Sequence, residues 1–179
     1  MIKIKNLTIH DIFPEMLLNF NHHQVINEKW VKRNKTWELT TTSELREWND
    51  EKRIWISDYL RQQIERGGSA VGAFAEDILV GFCCVDGFLA GNTAKYANIT
   101  MLFVDDNWKR KGIGKKLFER ICLCAVKMKA DKLFISAIPS FDTIAFYHYM
   151  GCEDAKEIIS EYVDTEQDRY LEYVLTISK

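Results

Sequence analysis

Apolar and polar residues alternate from the start of the chain. Ile2 and Ile4 set against Lys3 and Lys5 predict a strand with one wet face. Pro14, suited to a first helical turn, predicts a short helix over residues 11–20. Residues 22–42 carry no helical period. Trp30 and Val31, then Trp37 and Leu39, flank Asn34-Lys35 and predict a hairpin over residues 30–40. Ser43 reads as an N-cap for a helical pattern to Glu65, with Leu45, Trp48, Trp55 and Tyr59 near one face and Gly67-Gly68 as its stop. Residues 69–76 and 78–86 predict two strands about a tight turn at Glu76-Asp77, and Gly81 marks a bulge or a close backbone approach. A loop at 87–95 leads to a strand at 96–104. Residues 112–130 then place Ile113, Leu117, Ile121, Cys124, Ala125 and Met128 on one side of a helix. A buried strand at 132–138 stops at Pro139, and a short helix at 141–150 closes on Gly151. Two terminal strands, 155–163 and 170–177, flank a polar turn at 164–168. There are no repeats, low-complexity tracts or linkers, so one domain over 1–179 is expected.

Composition narrows the class. A chain of 179 residues, 47% hydrophobic and 28% charged, is long enough for a real core and ordinary for a soluble globular protein. No apolar run approaches the roughly 20 residues of a membrane span. The N-terminus lacks the apolar segment of a signal peptide. The five cysteines, Cys83, Cys84, Cys122, Cys124 and Cys152, are odd in number, lack C-x-x-C spacing and sit in apolar patterns. They read as reduced core thiols of a cytoplasmic protein, with no metal site. Four of the five Trp residues fall between Trp30 and Trp55, which suits either packing of a small lobe or an aromatic wall of a pocket; His22 and His23 lie at the mouth of that region.

Chemistry concentrates at 102–117, LFVDDNWKRKGIGKKL. A strand end, a glycine turn and a helix start come together there. The first N–H groups of a helix have no internal partner and sit at the positive end of its dipole, which suits a phosphate. A P-loop would need Gly where Lys109 stands and Ser or Thr where Lys116 stands. A dinucleotide fingerprint would need a third Gly where Leu117 stands. What remains is a basic residue, two residues, Gly, one residue, Gly, from Lys109 to Gly114. The net charge of −2 and the lack of a second basic patch argue against a nucleic-acid partner for these cations.

A second segment, Ser140 to Cys152, follows a strand and carries Phe146-Tyr147, three residues, then Gly151. Together the two segments resemble the acetyl-CoA-binding and C-terminal motifs of the GNAT superfamily of N-acetyltransferases. The resemblance covers residues 69–175 well and the N-terminal third in outline. It implies an α+β fold: a mixed, mostly antiparallel sheet of six or seven strands flanked by helices, opening in a V, with the hairpin as an addition. It implies acetyl-CoA as the donor cosubstrate and a primary amine of a small molecule or peptide as acceptor. The pyrophosphate falls to backbone amides of residues 110–115, around Gly112, Ile113 and Gly114, with Lys109, Arg110, Lys111 and Lys115 as steering charge. The pantetheine pairs strand-like along Leu102, Phe103 and Val104, where a backbone N–H near Leu102 or Phe103 polarises the thioester oxygen. Tyr147 matches the superfamily's general acid.

Two positions depart from the pattern. Lys109 stands where Arg or Gln is usual, and Ser140 stands where a pantetheine-contacting Asn is frequent, though Ser140 can also cap the next helix. The carboxylate base of many relatives falls on Asn98, which cannot take a proton. Asp86, Glu28, Glu44, His22 and His23 are candidates by chain position only, and no base is assigned. A non-catalytic acyl-CoA-binding or sensing module on the same fold is the competing class. Dimers are common in the superfamily, so a homodimer partner, with the terminal strands paired or exchanged, is a further implication.

Overall fold

The computed structural model describes residues 1–176. Its elements in chain order are β1 (Ile2–Leu7), β2 (His23–Arg33), β3 (Thr36–Glu47), α1 (Asp50–Glu65), β4 (Ser69–Ala75), β5 (Ile78–Ala90), β6 (Tyr96–Val104), α2 (Ile113–Lys127), β7 (Lys132–Ala137), α3 (Phe141–Tyr149), β8 (Glu153–Asp154) and β9 (Arg169–Val174). Seven strands form one sheet in the order β1-β4-β5-β6-β7-β9-β8, and β2 with β3 forms a separate hairpin. Of the pairings in the large sheet only β6 with β7 is parallel. This is the mixed, mostly antiparallel sheet flanked by helices that the sequence implies.

Both faces of the sheet are covered. On one, Ile113, Leu117, Ile121, Cys124 and Ala125 of α2 pack on Val71, Ala73, Cys83 and Val85. On the other, Ile56 and Leu60 of α1 join Leu17, Phe20 and Phe82. Strand β5 is therefore apolar on both faces along Leu79–Val85, with Gly81 the only side-chain-free position. The β4–β5 register steps from Ala73↔Gly81 to Phe74↔Leu79, leaving Val80 as the extra residue of a bulge. A Cβ on Gly81 would lie 3.1 Å from Ile113, Leu117 and the Phe103 carbonyl, so the glycine also lets α2 sit close.

The strand that positions the site is β6. Its parallel pairing with β7 covers only Tyr96↔Lys132, Ala97↔Leu133 and Asn98↔Phe134. Beyond Asn98 the strands part. On the β5 side the register steps from Val85↔Ile99 to Cys84↔Met101, so Thr100 is an extra residue, and the bulge bends β6 away from β7. The result is a V-shaped gap with the backbone edge of residues 99–104 unpaired on one side.

Several expectations are corrected. Residues 11–20 form two short 3₁₀ turns, Ile9–Asp11 and Pro14–Leu17, instead of a helix. The Asp11 carboxylate accepts from the Thr8 amide and hydroxyl at 2.8 Å and from Lys5 at 2.6 Å, fixing a turn just where a helix would begin. Ser43 does not cap α1. The helix starts at Asp50, with Asn49 accepting from the Lys52 amide at 2.8 Å. Residues 43–47 belong to β3 because they pair with β2, Leu45 opposite Val25 and Glu44 opposite Ile26. The hairpin turns at Asn34-Lys35 as expected but runs much longer, from His23 to Glu47. The expected strand at 155–163 shrinks to the two residues of β8. A loop with a 3₁₀ turn at Ser160–Tyr162 follows. There the Tyr162 hydroxyl donates to the carbonyls of Phe88 (2.9 Å) and Tyr96 (3.0 Å), so a side-chain anchor replaces a strand ladder. Strand β5 runs on to Ala90, into the expected loop. Ile177, the expected end of the last strand, lies outside the described residues.

The hairpin docks through its tryptophans. The Trp30 amide donates to the Pro139 carbonyl at 2.7 Å. The Arg169 guanidinium lies 5.3 Å from the Trp30 ring and 5.0 Å from that of Trp37, and it binds Asp154 through two contacts of 2.6 and 2.9 Å. The cysteines are free thiols, four of them buried, and burial pushes Cys84, Cys122 and Cys152 up to about 12. Among the described residues no helix is long and apolar enough to cross a membrane.

Candidate active site

The V between β6 and β7 is the mouth of a cleft of about 1150 Å³. Its walls are residues 99–104 of β6 and 135–140 of and after β7. The start of α2 closes one end, and the hairpin crosses the front. Of the residues singled out in the sequence, Leu102, Phe103, Val104, Lys109, Arg110, Gly112, Ile113, Gly114, Lys115, Ser140 and Tyr147 all line it; Lys111 does not.

The loop before α2 is shaped by its own side chains. The buried Asp105 carboxylate accepts from the Asn107 amide at 2.9 Å and from the Asn21 amide at 2.7 Å. Arg110 (φ 62°) and Gly112 (φ 75°) are left-handed, and Gly112 at the N-cap leaves the first N–H groups of α2 without a side-chain partner. A Cβ on Gly112 would meet nothing within 4 Å, so the loop faces open space, whereas one on Gly114 would lie 3.2 Å from the Phe146 ring. Free amides, a helix dipole and room beside them fit a phosphate group. The four cations are not equivalent. Lys109 is ion-paired with Asp106. Lys111 sits 4.3 Å over the Trp108 ring and donates to the Asn107 carbonyl at 3.1 Å. The Arg110 side chain is 90% exposed and Lys115 is half-exposed, and each has only a long, solvent-exposed ion pair of 3.9 Å, to Asp142 and to Glu119, so these two can turn towards an anion at little cost.

Tyr147 comes from α3, where the i to i+3 spacing puts Ile144 and Tyr147 on the buried face. It is 6% exposed, with its ring against Phe118 and Phe146. Burial, then the neighbouring Cys83 and Cys152 thiols, pushes its hydroxyl above the usual phenol range, so it carries its proton at neutral pH. Ser140 caps α3: its Oγ accepts from the Thr143 amide at 3.2 Å and donates to the Thr143 hydroxyl at 2.8 Å. Buried against Gln24 of the hairpin, it also faces the cleft.

His22 is a wall residue. It stacks on Trp48 at 4.3 Å and meets the Phe103 ring edge at 5.2 Å. Burial lowers its pKa to about 4 against an opposing pull from Asp106, so the ring is neutral at pH 7. None of the four tryptophans between Trp30 and Trp55 lines the cleft, and Trp108 does. Trp48 packs in the α1-side core and Trp55 stacks on Tyr59.

The sequence reading overlooked several residues. Asp164 and Asp168, noted only as part of a polar turn, line the cleft with Ser136. Asp86, a candidate only by position, accepts a hydrogen bond from Asn98 at 3.0 Å, so the carboxylate missing at Asn98 is present one strand over. Burial raises the Asp86 carboxyl above its ordinary value, with the Asn98 hydrogen bond and Arg66 opposing. The β5–β6 register alone brings these two together, and no linear motif signals it.

The model of the Acetyltransferase (GNAT) family matches residues 24–152. The chain belongs to that family. This GNAT protein is thus an acetyltransferase, of a family that takes its acetyl group from acetyl-CoA. Its fold is shared with solved structures of low sequence identity. A nourseothricin acetyltransferase is 14% identical, with 98% of this chain and 99% of the other covered and a TM-score of 0.71. An assigned streptothricin acetyltransferase from Bacillus anthracis str. Ames, in complex with acetyl coenzyme A, is 15% identical over 99% of each chain, with a TM-score of 0.70. The ribosomal-protein-S18-alanine N-acetyltransferase from Escherichia coli is 16% identical, with 100% of this chain and 97% of the other covered and a TM-score of 0.58. No curated protein matches the chain by sequence.

Proposed function

We propose that this GNAT protein transfers the acetyl group of acetyl-CoA directly to a primary amine of a small molecule or peptide, with Tyr147 as general acid. The observation that carries this reading is the meeting of an unpaired strand edge, an uncapped helix start and a buried phenol in one cleft. The amides of residues 110–115 hold the pyrophosphate, assisted by the charges of Arg110 and Lys115. Lys109 and Lys111, tied to Asp106 and to Trp108 with Asn107, set the shape of the loop. The edge at Leu102, Phe103 and Val104 pairs with the amides of the pantetheine, and an N–H at Leu102 or Phe103 polarises the thioester carbonyl. Tyr147 gives its hydroxyl proton to the sulfur as the C–S bond breaks and the C–N bond forms. It recovers a proton from water as the proton of the amine leaves. Ser140 faces the pantetheine while capping α3.

Calorimetric titration of the wild type and of a Gly112→Asp/Gly114→Asp double variant with acetyl-CoA tests the reading. Binding by the wild type that the double variant loses supports the cofactor and its loop. No binding by the wild type overturns both.

A further inference from the structure

Across the V from the β6 edge, the bank formed by Pro139, Ser140 and the start of α3 has few hydrogen-bonding groups left to offer. Pro139 has no N–H, and its carbonyl accepts from the Trp30 amide at 2.7 Å. The Ser140 carbonyl accepts from the Ile144 amide at 3.1 Å. A hydroxyl has one hydrogen and two lone pairs. That of Ser140 gives its hydrogen to the Thr143 hydroxyl at 2.8 Å and takes the Thr143 amide on one lone pair at 3.2 Å. The other lone pair faces the Gln24 side-chain amide at 3.4 Å. Ser140 is 3% exposed, so its hydroxyl cannot swing out to a ligand without giving up the cap of α3. The contact that an Asn would make at this position therefore finds no free group at Ser140.

A side-chain amide stands beside it. Gln24 belongs to β2, lines the cleft and is half-buried. Its Nε2 points at the Ser140 and Thr143 hydroxyls, 3.4 Å from each. Both contacts are longer than the usual N–H···O range, so the amide gives up little by turning. Gln24 makes no other side-chain hydrogen bond among the described residues, which leaves its Oε1 and its second N–H hydrogen available. The backbone that carries it is fixed. Arg46 pairs with it across the hairpin, and the His23 amide donates to Asp106 at 2.5 Å.

We propose that Gln24, reaching in from the hairpin, supplies the side-chain amide that holds the pantetheine of the donor from the bank opposite β6. Each pantetheine amide, like a trans peptide bond, turns its C=O and its N–H to opposite sides. Whichever of the two pairs with the β6 edge leaves the other facing the far bank. A primary amide answers either one, because it offers an acceptor and a donor on the same group. The hairpin is then part of the donor site as well as a span across the gap. The proposal rests on reading the cleft as an acetyl-CoA site.

Calorimetry with CoA on the full chain tests it, comparing the wild type with Gln24→Met, which keeps the length and loses the amide, and with Gln24→Ala. Each variant is expected to bind CoA about three- to tenfold more weakly, the range of one neutral hydrogen bond. Limited proteolysis separates a donor contact from a structural role. Cutting within residues 23–47 is expected at the wild-type rate, because the hairpin stays anchored through Trp30 to Pro139 and Arg169. Unchanged CoA affinity in both variants overturns the proposal. So does a loss of affinity that comes with faster cutting of the hairpin. Failure of the wild type itself to bind CoA overturns the donor reading, and the proposal with it.

Discussion

Replacing Tyr147 by Phe removes one hydroxyl and leaves the ring that packs on Phe118 and Phe146. The described residues give that hydroxyl no hydrogen bond; its environment is burial plus two nearby thiols. Folding therefore loses nothing that the ring does not already supply, and the melting temperature should move by no more than about 2 °C. Catalysis is different. A proton donated to the leaving sulfur is worth about 1.4 to 4 kcal/mol in the transition state, so kcat should fall about 10- to 1000-fold. The affinity for acetyl-CoA should be unchanged, because the amides and the strand edge hold it. Since burial raises the hydroxyl above the usual phenol range, it stays protonated into alkaline solution, and it should add no falling limb to the pH–rate profile below pH about 10. Steady-state kinetics and calorimetry on both proteins decide it. Unchanged kcat refutes the role, and so does an alkaline limb near pH 9 that disappears in Tyr147→Phe.

His22 supplies a pH-dependent stability. Its folded pKa of about 4 lies below the ordinary 6.5, so the unfolded chain takes up the proton first and stability is lost as pH falls from 6.5 towards 4. Urea denaturation at pH 7.5 and 4.5 should show about 2 to 3 kcal/mol more loss in wild type than in His22→Phe; equal losses contradict the burial of a neutral ring. Asn49→Ala removes the cap of α1 and should cost about 1 kcal/mol by the same denaturation assay. Arg169→Ala removes both the pair with Asp154 and the surface between Trp30 and Trp37, so limited proteolysis should begin cutting within residues 23–47 while the large sheet stays protected. Cleavage at wild-type rates would show that the tryptophans do not anchor the hairpin.

The part of the chain most legible in the sequence runs from β4 to α3, where each element has a single period and clear punctuation. Glu76-Asp77, Gly112, Pro139 and Gly151 all mark ends within a residue or two of those observed. The N-terminal third was harder because local pattern and tertiary pairing disagree there. Residues 43–47 fit a helical period, yet opposite β2 they gain a ladder and become strand. Tyr162 shows the reverse case, a β-like run whose aromatic hydroxyl finds two carbonyls and holds a loop. The glycine-loop side of the cleft was readable because strand edge, glycines and helix start are contiguous in the chain. The acid-lined side was not, since Thr100, Ser136 and Asp168 come from two strands and a turn, and only the sheet order joins them.

The hairpin has a mechanical consequence. The two halves of the sheet meet through only three parallel residue pairs, a weak seam for a structure that must keep a gap of fixed width. The segment carrying β2 is riveted to both banks: Asn21 to Asp105 and Asp106 beyond β6, and Trp30 to Pro139 beyond β7. Prying the banks apart would break both sets of rivets together. The gap therefore cannot widen by a simple spreading of the sheet. The span thus works as the deck of a bridge, fixing the width of the channel below it.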